Sequence, residues 1–114
     1  MSAPLTTETC AAAGNACYLA GDFASAEEHH TVAIGLEPGN HVHYANRCDA
    51  RMRQGVTRAY DALLDATQCC RLSPAWPRGL LCAASAVHMY GDARPAALLL
   101  KQGARHAQPV PGNA

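Results

Sequence analysis

The sequence predicts an all-α protein built from repeated helix-turn-helix units, and three observations carry that prediction. Of its 114 residues 49% are hydrophobic but only 5% aromatic, and much of the apolar content is alanine. Alanine is the strongest helix former, and few aromatic or β-branched residues are present to favour strand. Glycine and proline punctuate the chain regularly, at Gly21, Gly55 and Gly91 and at Pro38, Pro74 and Pro109. Between them an alanine recurs at Ala26, Ala62 and Ala96, so that all three series repeat every 34 to 36 residues. Repetition at this period means units that cannot bury their apolar faces alone and stack on one another.

Taken in order, residues 1–6 read as a short polar leader. A helical pattern starts at Thr7, with Cys10, Ala13, Gly14, Cys17 and Tyr18 near helical spacing, and ends at Gly21. Asp22 can cap the next helix, Phe23 to Leu36. Glu27 and Glu28 lie in its early half, where the helix dipole favours acid. Pro38, Gly39 and Asn40 form a turn. The third helix runs from Val42 to Gln54 and stops at Gly55. The fourth runs from Arg58 to Leu72, and Pro74 and Pro77 bar its continuation. Tyr44, Ala50, Ala62, Ala66 and Cys69 supply the small and apolar residues that two packed helices need. This second unit carries about two extra residues after Gly55, in VTRAYDALLD, which lengthen the turn or extend a helix by half a turn. In the last unit Pro95 falls in a helix's first turn, where proline is tolerated, and Gly103 stands where a small alanine is usual. No clear seventh helix follows, and QPVPGNA reads as a frayed tail. The predicted domain is therefore three units, 7–40, 41–76 and 77–110, between a leader and a tail at 111–114.

Composition narrows the function. Nine basic and nine acidic residues give a formal charge of zero, against the basic excess that nucleic acids and anionic membranes usually attract. No apolar run approaches the ~18 residues of a membrane span. The start, MSAPLTTETC, has neither a basic nor an apolar signal region, so a cytoplasmic location is expected. The six cysteines fall inside predicted helices and read as reduced, small, buried groups. The six histidines form no metal pattern: His29 and His30 are adjacent, and His41 and His43 straddle a helix start. Cys69-Cys70 is neither a CxxC nor a zinc spacing. No nucleophile–base pair or phosphate loop is present. The expectation is a monomeric protein-interaction module with no cofactor and no enzyme activity.

The repeat resembles the tetratricopeptide repeat (TPR). The first unit carries AAAGN, AGDFASAEEHH and VAIGLEPGN, and the second carries NHVHYANR and LSPAW. These are similar to the first units of the TPR domains of Hop/Sti1-type co-chaperones, which grip the C-terminal tails of Hsp70 and Hsp90. The resemblance covers nearly the whole chain. It implies a right-handed superhelix with a concave groove lined by the first helix of each unit. On that register the groove holds Ala11, Asn15, Tyr18 and Leu19, then Asn46, Asp49, Met52 and Arg53, then Arg78, Cys82, Ser85 and His88.

In the resembled co-chaperones a two-carboxylate clamp holds the terminal aspartate. It takes Lys and Asn from the first unit, Asn from the second, and Lys and Arg from the third. Asn15 and Asn46 match the asparagines, and Arg78 stands at the third-unit lysine. Ala11 and Cys82 replace the other two cations, Asp49 adds a negative charge, and Arg53 is a candidate substitute. The resemblance therefore implies a weakened peptide site made of Asn15, Tyr18, Asn46, Asp49, Arg53, Arg78, Cys82 and His88. Each hydrogen bond to a charged group contributes roughly 1.5–3 kcal/mol, so two lost cations weaken an anionic peptide by about two to four decades. Three bland readings stand beside this one: Asn15 and Asn46 as scaffold, Arg78 as a solvated first-turn residue, and Tyr18 as packing. Two alternatives also remain, a TPR scaffold that binds a helix or internal segment without reading a carboxylate, and a thiol or metal protein. With Cys82 in the groove, a bulky thiol reagent is expected to reach it before Cys69.

Overall fold

The structure is a computed structural model that describes residues 5–106, with side chains to Lys101. Among these residues there are six α-helices and no strand: α1 (Thr7–Leu19), α2 (Phe23–Leu36), α3 (His41–Met52), α4 (Ala59–Leu72), α5 (Pro77–Tyr90) and α6 (Arg94–His106). They form the TPR fold that the repeat predicted. Pro109 and the tail expectation lie outside the described residues.

Local chemistry sets the helix ends. Thr6 and Thr9 close a reciprocal capping box at α1, and Asp22 accepts from the Ser25 N–H at 3.2 Å. Asn40 accepts from the Val42 N–H at 3.0 Å, which starts α3 at His41, one residue earlier than predicted. Each cap satisfies a helix N–H that has no partner within the helix. Gly21, Gly55 and Gly91 take φ of 84°, 111° and 88°. Any side chain would strain this left-handed backbone, and that is why glycine recurs at the turn. The extra residues after Gly55 become a single 3-10 turn, Val56–Arg58, so α4 begins at Ala59 rather than Arg58. α3 ends at Met52, because the Gln54 and Gly55 N–H groups fold back on the Arg51 and Met52 carbonyls.

The periodic alanines are the core. Ala26 and Ala62 are fully buried and Ala96 is 7% exposed. Ala45, Cys48, Leu63, Ala66, Cys69, Cys82 and Ala86 pack with Ala62 and Ala96 in one cluster across α3, α4, α5 and α6, edged by Tyr44, Met52 and Trp76. Such small side chains let the helices approach closely but bury little apolar area each.

A polar network joins the first unit to the second. Arg47 forks onto Asp65, with Nε to Oδ2 at 2.9 Å and Nη2 to Oδ1 at 2.7 Å. Arg51 donates from Nη1 to Asp65 Oδ2 at 2.8 Å and from Nε to Glu27 Oε2 at 2.7 Å. Gln54 and Arg58 also hold Glu27. Burial alone would raise the Glu27 carboxyl, but hydrogen bonds from Arg51 and Gln54 and the charges of Arg51 and Arg58 hold it below its ordinary value. Glu27 thus does more than sit near a helix dipole: it ties α2 to α3 and the 3-10 turn.

Candidate functional site

α1, α2, α3 and α5 bring their side chains together at one open cavity of about 70 Å³, lined by Asn15, Tyr18, His30, Asn46, Asp49 and Arg78. Arg78 organises it. Pro77 opens α5 at its first position, which places Arg78 in the first turn, opposite α3. Its Nη2 donates to Asn46 Oδ1 and to Asp49 Oδ2, both at 2.8 Å. The guanidinium also lies over the Trp76 ring, 5.6 Å from its centroid. Arg78 is therefore no free, solvated cation: Asp49 already pairs it. The N–H groups of the Asn46 amide are not spent on Arg78. Asn15 is exposed, one helical turn beyond Ala11 on α1. Tyr18 is half-buried and packs edge-on against Phe23 at 5.2 Å, so it serves both packing and the cavity wall.

Four expected groove residues are placed differently. Cys82 is buried, only 5% exposed, and its thiol donates to Asp49 Oδ1 at 3.6 Å. It lies beneath the site and not on its surface, because Gly79, Cys82 and Ala86 form the buried stripe of α5. A hydrogen bond with Cys48 lowers the Cys82 thiol despite burial, and the same bond followed by burial raises Cys48. Arg53 is the exposed C-cap of α3, with its guanidinium 5.1 Å from the Phe23 centroid, and does not line the cavity. His88 is exposed further along α5, also away from it. Met52, also placed on the groove line, packs against the core.

His30 is the residue the sequence reading missed. It is 1% exposed, and its ring lies on Gly14 so closely that a Cβ there would come within 2.6 Å of ring atoms. Its Nδ1 has no hydrogen-bond partner. Burial first, then electrostatic coupling to His43, His29 and Arg78, holds it down to about 4, with Asp49 opposing. The signal was present in the sequence: Ala26, His30 and Ala33 fall on one helical face, and all three are buried.

Chemically the site offers two amides, a phenol, an imidazole, one guanidinium and one carboxylate. Among the described residues no group of three His, Cys, Asp or Glu side chains could hold a metal. Among them, too, no helix is long and apolar enough to cross a membrane.

Three helix pairs, turned by glycines at one repeat position and packed through alanines at another, define a TPR module with a polar site on the first helices of its units. No family model matches the chain. It is 37% identical over 101 residues to the heat shock protein sti1 homolog of Schizosaccharomyces pombe, covering 87% of this chain and 16% of that protein. It is 40% identical over 92 residues to the Hsp70-Hsp90 organizing protein of Triticum aestivum, covering 81% and 16%. Heat shock protein STI1 of Saccharomyces cerevisiae matches at 37% over 76 residues, covering 66% and 13%. The chain is a TPR module similar to Hop/Sti1 proteins over most of its own length, and it spans only about one sixth of the first two relatives.

Proposed function

We propose that this chain is a co-chaperone-like adaptor module that holds an acidic C-terminal peptide, such as the tail of an Hsp70 or Hsp90 chaperone, with the terminal carboxylate between Asn15, Asn46 and Arg78. The observation that carries this reading is the convergence of those three side chains, from α1, α3 and α5, on one cavity. The names of the relatives, Hsp70-Hsp90 organizing proteins among them, support the choice of partner. Guanidinium and amide N–H groups suit a planar carboxylate. The module acts in the cytoplasm on this reading.

Binding is weak on this reading. Ala11 and Cys82 supply no charge, Arg53 lies over Phe23, and a ligand must share Arg78 with Asp49. That last pairing also favours a second reading, in which the groove takes a helix or internal segment without a terminal carboxylate. Leu19 and Leu81, 86% and 66% exposed, are apolar contacts available to such a partner on the helices that supply the site.

A peptide ending in Glu-Glu-Val-Asp separates the two. The free acid should bind with Kd on the order of 100 µM, and the C-terminal amide should lose most of that affinity. Ala11→Lys should tighten the free acid about tenfold, through one charge-assisted contact of roughly 1.5 kcal/mol. Equal binding of acid and amide, with no gain from Ala11→Lys, would refute the carboxylate reading.

A further inference from the structure

We propose that His30 is a ligand-contacting residue of this site, donating from its ring to the anionic group seated between Asn15, Asn46 and Arg78. The inference rests on the carboxylate reading above and adds to it a residue that the repeat pattern does not assign to binding.

The geometry is specific. The other cavity-lining residues come from α1, α3 and α5; His30 alone comes from α2. It reaches the cavity because Gly14 has no side chain, which lets the ring lie directly on α1 next to Asn15. The ring is fixed by this contact before any ligand arrives, so little conformational freedom remains to be lost on binding. A buried ring nitrogen without a partner is costly, and native structures rarely leave one. Here Nδ1 is such an atom. The ring lines the cavity, and a half-turn about the Cβ–Cγ bond moves Nδ1 to the side that Cδ2 now occupies. A carboxylate oxygen there is the acceptor that the fold itself does not supply.

This contact links binding to protons. The groups facing His30 are Tyr18 from α1, His29 on its own helix, His43 and Asp49 from α3, and Arg78 from α5. Glu37 faces His43 in turn, 2.9 Å from its Nε2. In the free protein burial, chiefly, holds the ring down to about 4 and so neutral. A carboxylate within hydrogen-bond reach raises such a group by roughly one to three units. A rise to about 6 makes the anion bind about fourfold more tightly at pH 5.5 than at pH 7.5, because the complex takes up a proton that the free protein refuses.

The test is an NMR titration of the histidine ring signals of the intact chain with the free-acid Glu-Glu-Val-Asp peptide, between pH 5.5 and 7.5. The His30 ring is expected to shift on binding and to titrate about two units higher in the complex. His30→Gln, which keeps a donor but cannot titrate, should flatten the pH dependence, and His30→Phe should weaken binding at every pH. The wild-type ring signals carry the test even where a variant folds poorly. If the peptide shifts Asn15 and Asn46 signals but leaves His30 unmoved, with affinity level across the pH range, His30 is only a packing residue and this inference is overturned. If acid and amide bind alike or not at all, the carboxylate reading falls, and this inference with it.

Discussion

Asp65 is 2% exposed and receives four donated hydrogen bonds at 2.7–3.1 Å from two guanidinium groups. Asp65→Asn keeps the size of the side chain and removes the charge. Arg51 retains Glu27, but Arg47, whose side chain is only 16% exposed, keeps only neutral acceptors, the asparagine amide oxygen and Thr31 at 3.2 Å. Removing one partner of a buried ion pair costs about 3–5 kcal/mol, because a charge remains buried and unpaired. The partial exposure of Arg47 places this case near the lower value, about 3 kcal/mol. A domain of this size has about 5–15 kcal/mol in total, so the variant should be marginal. In urea unfolding, with a slope of about 1–3 kcal/mol per molar, the midpoint should fall by about 1–3 M. Asp65→Leu combined with Arg47→Met removes both charges and should be less destabilised than Asp65→Asn alone. The reasoning fails if Asp65→Asn stays within about 1 kcal/mol of the parent, or if the double variant is no better than the single one.

Two further outcomes follow from the same buried groups. The folded chain holds His30 at about 4 against an ordinary 6.5, so the unfolded chain takes up a proton that the native state refuses. Stability is therefore full above pH 6.5 and falls by about 3 kcal/mol in all as pH drops from 6.5 to 4. Thermal melts should show this slope, and His30→Gln should remove it; Glu27, depressed from 4.5, adds its own loss only below about that pH. Among the cysteines only Cys17 is not buried, so a bulky maleimide followed by peptide mass mapping should find Cys17 modified well before Cys82 and Cys69, the latter pushed up to about 11 chiefly by burial. Early modification of Cys82 would mean that α5 is rotated from the position described.

The parts of this protein that were legible in its sequence are those decided locally. Gly21, Gly55 and Gly91 could be read because only glycine accepts their backbone angles. Ala26, Ala62 and Ala96 could be read because a repeat fold needs a small residue at the same place in each unit. Facing was harder. Arg78 and Cys82 are four residues apart and lie near one face, but four residues advance a helix about 40° beyond a full turn. That rotation, with Gly79 and Ala86 completing the stripe, carries Cys82 into the core. Asp65 could not be anticipated as a buried acid, because its two arginine partners are 14 and 18 residues away and meet it only after α3 and α4 pack. His30 enters the sequence reading only as a residue adjacent to His29 that makes no metal pattern, although its spacing from Ala26 and Ala33 marks it as interior.

The charge arrangement of the site bears directly on what it can select. Arg78 and Asp49 cancel, His30 is neutral, and the remaining lining groups, Asn15, Tyr18 and Asn46, carry hydrogen bonds but no charge. The Arg78–Asp49 pair is itself of modest strength, since the two side chains are 40% and 31% exposed and pairs this accessible contribute about 0–1 kcal/mol. An entering carboxylate can thus take Arg78 from Asp49 at small cost, but the displaced Asp49 stays beside it and repels it. The net attraction to a bare negative charge is small for that reason, and salt screening has little to weaken. On the proposed function discrimination then falls to geometry: an anionic group would have to align with Asn15, Asn46, Arg78 and the His30 ring together, because no excess of positive charge holds it in any other pose. A peptide with a donor near Asp49 would turn the repulsive group into a partner, and on the proposed function this feature would separate ligands of equal charge.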